Sequence, residues 1–376
     1  MYETVIVGGG AAGISCALSA AAEGANVLLL EKTNELGGTV KKALIHTIGG
    51  LFDDQGEFLN TGIPMELAQR SGDACSYTQK RRIGKTWVLN VNPSTYADVI
   101  MDWIKSRSNI EVRYAATVTA TSVDAGRIEQ IRVAHNGSTT EIYPHALVDT
   151  TGNASIVRQV DTGLVEDGAA MGGFIVQLRG LAHGALQFPK GAGILMRIRK
   201  AVDNGELPPE CSTVWLDTGV YPDEAYAKFS VSQEDCDEVH MGLAGQQLLA
   251  FLRTLLGFSD AFISKCGAPC SRDAGRIKGE YCLTERDILS GTRFPDAACR
   301  ASWPIEHWHP KTGISLEYLP PGHDYDIPLR SLQVAGFSNL WAAGKCLSAE
   351  PRAQASARVA GTCWAMGEAV GKHITG

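Results

Sequence analysis

The most constraining feature of this sequence lies within its first thirty-one residues. Gly8, Gly10 and Gly13 form G-x-G-x-x-G directly after the apolar run Glu3 to Val7 and at the opening of an alanine-rich stretch, Ala11 to Glu23. A second apolar run, Asn26 to Leu30, ends in Glu31. Strand, glycine turn, helix and strand together predict a βαβ unit built to bind a dinucleotide. Each glycine has its own mechanical part. Gly8 makes the tight turn, Gly10 lets the backbone approach a pyrophosphate, and Gly13 lets helix and strand pack closely. The helix N-terminus at Ala11 and Ala12 then faces the anion with free N–H groups. Glu31, with Lys32 beside it, is placed to accept hydrogen bonds from the adenosine ribose, and its charge would repel a 2′-phosphate, which disfavours NADP.

With 376 residues, the chain suits two interleaved domains better than one. From Gly49 to Asn92 no regular pattern is visible, and Ser94 or Thr95 then caps a predicted helix running through Trp103 to Lys105. From Glu111 to Val148, short β-rich stretches separated by Asp124-Ala125-Gly126 and Asn136-Gly137 predict a meander of hairpins. The apolar run from Ala146 empties into a glycine turn at Gly152. A second domain is expected between about Gly168 and Trp303, with a helical piece from Met241 to Leu256. Leu340 to Ala343 reads as a returning strand, and Ala355 to His373 as one long helix.

Composition narrows the function classes. The chain is 44% hydrophobic and 20% charged, too apolar for disorder. Its net charge of −7 comes without blocks of like charge, so neither nucleic acid nor an anionic membrane surface is an expected partner. No apolar run has the length of a membrane span, and nothing at the start resembles a secretory signal, so a cytoplasmic location is expected. Ten scattered cysteines, Cys16, Cys346 and Cys363 among them in apolar segments, read as reduced core thiols, and no spacing suggests a metal site.

Three further stretches choose between dinucleotides. Glu31-Lys-Thr-Asn-Glu-Leu-Gly37-Gly38-Thr39 resembles the E-x-x-x-x-x-G-G continuation of FAD-binding two-domain oxidoreductases. Asp149-Thr-Thr151-Gly152 resembles their A-T-G strand end, and Gly344-Lys-Cys their closing flavin segment. Later segments carry a more specific resemblance: Arg276-Ile-Lys-Gly-Glu280 through Leu283-Thr284, Asp287 and Gly291; Trp303-Pro-Ile-Glu-His307; Tyr325-Asp-Ile-Pro-Leu-Arg330; and Ala353 to Gly367. With these the chain resembles the FAD-dependent oxidoreductases related to the fumarate reductase and succinate dehydrogenase flavoproteins. That resemblance implies an α/β fold, in which a Rossmann-type FAD-binding domain with a mostly parallel sheet and a β-meander is interleaved with an α+β substrate domain. The expected division is 1–48, 93–167 and 331–376 for FAD, and 49–92 and 168–330 for the cap. It also implies a cofactor site of Gly8, Gly10, Ala11, Ala12, Gly13, Glu31, Lys32, Gly37, Gly38, Thr39, Val118, Thr151, Gly152, Gly344, Ser356, Arg358 and Val359. Ser356, Arg358 and Val359 are expected to open the last helix. No histidine follows Gly37-Gly38 directly, so the flavin is expected to be held non-covalently.

A flavin carries the electrons, so the protein must hold a substrate bond against flavin N5 and manage one proton. His307 is the first candidate for the proton, with a structural imidazole as its other reading. Arg276, Arg330 and Arg352 are candidates for holding an anionic substrate or the charge of reduced flavin, at least one of them being structural. His46 contacts substrate, tethers the flavin, or simply packs. The expected activity is hydride exchange between a small organic molecule and FAD, with reoxidation by oxygen, a quinone or a partner protein, in a monomer or homodimer. The alternatives are a monooxygenase or reductase drawing on external NAD(P)H, a maturation flavoprotein acting on a protein partner, and a flavin-binding module without turnover.

Overall fold

The computed structural model describes residues 2–168, 171–273, 275–309 and 312–376. Its organising element is a five-stranded, wholly parallel sheet in the order Leu340–Ala342, Ala146–Asp149, Thr4–Val7, Val27–Leu30, Ile110–Arg113. These strands are short apolar runs because both faces are covered. Ile6, Leu29, Val148 and Trp341 face a core shared with the helices Ala11–Ala22, Pro93–Lys105 and Ala360–His373. Val5, Val7, Leu28, Leu30 and Leu147 face a second core under the antiparallel meander Thr117–Asp124, Arg127–His135, Ser138–Ile142. The layers are therefore helix, sheet and meander. Both hairpin turns form where expected, with Ala125-Gly126 and Asn136-Gly137 in left-handed conformations.

The first and last helices pack against each other. A methyl group on Gly367 would lie 2.1 Å from the carbonyl oxygen of Ala12, and one on Gly371 2.6 Å from that of Cys16. Backbone therefore meets backbone across this seam. The Ser15 hydroxyl also donates to the Trp364 carbonyl (2.6 Å), and that of Ser19 to the Glu368 carbonyl (2.8 Å).

The second unit is a largely antiparallel sheet of Trp215–Thr218, Ala225–Ser232, Met171–Arg179 and Phe262–Cys266, with Cys270–Ser271 paired to its third strand. Helices Lys190–Asp203 and Glu238–Leu252 contribute Ile194, Ile198, Leu248 and Leu252 to its separate core. Leu51, Phe52, Leu67, Leu89, Leu283, Ile305 and Tyr325 instead join the core beneath the parallel sheet.

Three local expectations need correction. The stretch 49–92 is regular: it holds helix Ile63–Ala74 and the hairpin Gln79–Ile83/Thr86–Asn90, which also pairs with Thr47–Gly49. The helix buries only Pro64, Leu67 and Ser71, and strand Gln79–Ile83 buries nothing, so neither leaves an apolar period. The helix before Lys105 begins at Pro93, two or three residues early, because Asn92 accepts the amides of Ser94 and Thr95. Finally, Ala355 to His373 is not one helix. Pro351–Ala357 ends at Arg358, and Val359, extended at φ −70° and ψ 152°, starts Ala360–His373.

Candidate active site

At the carboxyl ends of the parallel strands, where the chain leaves Val7, Leu30, Asp149 and Ala342, lies a cleft of about 420 Å³. Its floor is the Gly8–Ala12 turn. Gly8 has φ +116°, and a side chain there would strike the Thr150 carbonyl oxygen at 2.4 Å. A methyl on Gly13 would come within 1.9 Å of the Gly8 carbonyl oxygen, so the helix can lie against the strand only with glycine. Gly10 differs from both: a methyl there would meet only the Gly38 Cα, at 3.8 Å. Gly10 caps helix Ala11–Ala22 with no side-chain partner, which leaves first-turn N–H groups for a ligand.

Glu31 closes one end. One carboxylate oxygen accepts from the Gly9 amide (2.8 Å); the other accepts from the Thr33 amide and hydroxyl (2.9 and 2.7 Å) and from Lys42 (2.9 Å). Burial disfavours its charge, yet the bonds from Thr33, Lys42 and Gly9 outweigh this and hold the carboxyl below its ordinary pKa. The opposite loop is held by Asp149, fully buried, which accepts from the Thr151 amide (3.0 Å) and hydroxyl (2.7 Å) and from the amides of Ile156 (2.8 Å) and Val157 (3.1 Å). The Thr150 hydroxyl bridges the two loops, 2.9 Å from the Val7 carbonyl and 2.8 Å from that of Gly8.

The far end is cationic. Lys345 and Arg358 line it, together with Ala268, Pro269 and Cys270 from the second unit. Lys345 donates to the Ser271 carbonyl at 2.9 Å, and burial lowers its pKa from the ordinary lysine value. Arg358 donates to the Arg272 carbonyl, which brings the segment after Cys270 against the start of the last helix.

Residues 3–173 and 180–374 match the family model described as FAD dependent oxidoreductase. The chain belongs to that family. This FAD dependent oxidoreductase is an enzyme of the oxidoreductase class, and FAD is its cofactor. No curated protein matches its sequence. Among solved structures, it resembles a geranylgeranyl bacteriochlorophyll reductase-like protein from Thermoplasma acidophilum at 11% identity and TM-score 0.51, covering 100% of this chain and 77% of that one. It also resembles the OxyS anhydrotetracycline hydroxylase from Streptomyces rimosus at 16% identity and TM-score 0.48. That match covers 74% of this chain, which spans only about half (54%) of the hydroxylase. At such identities the likeness shows the fold alone.

The residues present fit FAD: Gly10 leaves open backbone where a pyrophosphate needs it, and a charged carboxylate stands at the end of the second strand. Of the expected cofactor residues, Gly8, Gly10, Ala11, Ala12, Glu31, Lys32, Gly38, Thr39, Val118, Thr151, Gly152, Gly344 and Arg358 line the cleft. Gly13, Gly37, Ser356 and Val359 do not. Gly13 acts through packing, and Gly37, at φ +111°, caps the short helix Gly38–Lys42. Ser356 lies a helix earlier than expected, its hydroxyl buried against Tyr325 (2.7 Å) and the Trp303 carbonyl. Val359 sits against Gly50. Sequence reasoning did not name Lys42, Asp149, Thr150 or Lys345 as site residues: the last three lie inside the segments Asp149 to Gly152 and Gly344-Lys-Cys that it marked, and no motif marks Lys42.

None of the five candidate catalytic residues of this FAD dependent oxidoreductase lines the cleft. His46 is fully buried between Tyr226, stacked at 3.7 Å, and Asp217 at 3.1 Å; Asp217 also pairs with Arg81 (2.8 Å) and Lys228 (3.2 Å). Burial and the Lys228 charge push its pKa down to about 3, so the ring is neutral. Arg276 is buried beside Glu166 at 3.5 Å. Arg330 is a surface residue paired with Asp296 at 2.9 Å. Arg352 pairs with Glu285 (2.8 Å) and Glu317, and donates to His307 at 2.8 Å. Among the described residues, no helix is long and apolar enough to cross a membrane, and no cluster of ligands is set to hold a metal.

Proposed function

We propose that this protein exchanges a hydride between a small organic substrate and N5 of FAD, and is reoxidised by oxygen, a quinone or a protein acceptor. The supporting observation is the nucleotide cleft, running from the Glu31 carboxylate to a wall built by both units. The sequence holds no second G-x-G-x-x-G between strand and helix, so nothing marks a built-in nicotinamide domain. FAD, when bound, supplies the two-electron acceptor and donor. Glu31 takes the adenosine ribose, and the first-turn amides of Ala11 and Ala12 take the pyrophosphate. Gly38 and Thr39 lie along the chain beyond it. Pro269 and Ala268 close the far end against water, with Lys345 and Arg358 favouring negative charge there.

In this reading residues 49–92 and 168–330 form the substrate cap, and the likeness to fumarate reductase flavoproteins rests on the segments around Arg276 to Gly291 and Ala353 to Gly367. The protein works in the cytoplasm, with FAD held non-covalently. Acid precipitation should release the flavin, and a washed pellet that stays yellow would sink that part of the proposal. The decisive experiment is anaerobic stopped-flow mixing of holoenzyme with a panel of organic donors, and separately with NADH and NADPH. Bleaching of flavin by an organic donor is the expected result. Rapid bleaching by NADH or NADPH, with no organic donor effective, would replace the proposal with an enzyme drawing on external NAD(P)H.

A further inference from the structure

The wall that ends the cleft carries more positive charge than the protein neutralises. Lys345 and Arg358 face the cleft, and Arg272 stands behind them with its guanidinium 3.7 Å from the centre of the Trp308 ring. Arg272 donates to the Ser230 hydroxyl at 2.9 Å and to the Phe229 carbonyl at 3.3 Å. Two carboxylates stand nearby. Asp273 is 3.6 Å from Arg358 and 21% exposed. Glu306 is already held by the indole N–H groups of Trp303, at 3.0 Å, and Trp308. Three cations thus meet two acids, one committed elsewhere and one loosely placed.

The unmet hydrogen bonds point the same way. Among the described residues, the Nε atoms of Arg272 and of Arg358 are both buried without a partner, and the Arg358 side chain is only 10% exposed. Buried donors without acceptors are costly, more so on charged groups. Two such donors at one wall, beside an ammonium bonded to a neutral carbonyl, describe a place made for an oxyanion. The pyrophosphate does not fill this need, because the helix amides behind Gly10 provide for it.

We propose that Arg358 and Lys345, with the charge of Arg272 behind them, form a subsite for an anionic group of the substrate, a carboxylate or an oxyanion of similar size. The assignment rests on the flavin reading above and names the substrate class for that same cleft. The Trp308 ring holds the planar Arg272 guanidinium in place, and Arg358 carries the contact from the break before the last helix to the segment after Cys270.

The test uses FAD-loaded protein and benzoate as the probe, read from the flavin absorbance spectrum, with benzamide as the neutral counterpart. Benzoate should perturb the spectrum saturably and benzamide should not. In Lys345→Met and in Arg272→Met, measured on the flavin-loaded fraction, benzoate should bind roughly 10- to 100-fold more weakly, the scale of one charge-assisted hydrogen bond. Arg272→Lys, which keeps the charge and loses the fork, should fall in between. Equal binding of benzamide, or unchanged benzoate affinity in both methionine variants, would overturn the subsite. So would variants that keep benzoate affinity but lose the sulfite adduct at flavin N5, since the cations would then serve the flavin's own negative charge. Failure of the flavin reading would show separately, as wild-type protein that takes up no FAD or whose flavin no organic donor bleaches.

Discussion

Two substitutions three residues apart should separate holding the cofactor from holding the fold. At Gly13 an added methyl would lie 1.9 Å from the Gly8 carbonyl oxygen, where real contacts stay above 3.0 Å. The helix would have to back away from the strand by roughly 1 Å, and overpacking of this kind costs about 1–3 kcal/mol. At Gly10 the backbone, with φ −88° and ψ −170°, accepts alanine, and the methyl meets nothing nearer than 3.8 Å. Alanine caps a helix less well than glycine, by roughly 0.5–1 kcal/mol, and the lower conformational entropy of alanine in the unfolded chain offsets a similar amount. The methyl would, however, occupy the place of the pyrophosphate. Losing two charge-assisted N–H bonds, at about 1.5 kcal/mol or more each, comes to about 3 kcal/mol, or ~10²-fold in affinity. Urea melts of the apoproteins, paired with FAD titrations followed by flavin fluorescence, measure both quantities. Gly13→Ala should lower stability and affinity together, and Gly10→Ala affinity alone. Wild-type FAD affinity in Gly10→Ala, or an apoprotein as destabilised as Gly13→Ala, would refute the assignment of the floor.

Glu31→Ala should weaken FAD by about 1–3 kcal/mol, measured by the same titration; unchanged affinity would mean that the carboxylate only braces Thr33, Lys42 and Gly9. His46 is held neutral with a pKa of about 3, below the ordinary histidine value. The unfolded chain therefore takes up a proton that the folded one refuses. Between about pH 6.5 and pH 4 the wild type should lose on the order of 1 kcal/mol per pH unit relative to His46→Gln, and parallel pH profiles would show that the ring is not so buried. His307→Ala should leave anaerobic single-turnover flavin reduction close to normal, because His307 faces Arg352 rather than the cleft. A drop of about 10²–10⁴-fold would restore it as the proton acceptor. Arg330→Ala, at a surface pair, should change neither reduction nor FAD content.

The nucleotide half was readable because its physics is local. Glycines at 8, 10 and 13 lie within one turn, and Glu31 follows at the end of the next strand, so adjacency in sequence stands for adjacency in space. The cationic wall was not readable for the opposite reason. Lys345, Arg358 and Arg272 are brought together by the passage of residues 270–273 past the start of the last helix, and no spacing records that. His307 and Arg352 were chosen because they neighbour family-like segments, but neighbourhood along the chain does not say which side of a hairpin faces the cleft. The stretch 49–92 was illegible because its helix and hairpin each present little apolar surface to the core. Arg358 was placed correctly but for a partly wrong reason: it lines the cleft from the break between two helices, a break that no proline or glycine announces.

The seam between Gly367, Gly371 and the carbonyls of Ala12 and Cys16 has a consequence for biosynthesis. The strand Thr4–Val7 and the helix after it are synthesised well ahead of their partners: the strand Leu340–Ala342 that completes their sheet and the helix that covers them are made hundreds of residues later. Contacts this distant in sequence close slowly. Until then the fingerprint turn is present but lacks Gly344, Lys345 and Arg358 on its far side, and the apolar face of the first helix is bare. Cofactor capture must therefore follow translation of this region, leaving the nascent nucleotide-binding half an exposed client for chaperones.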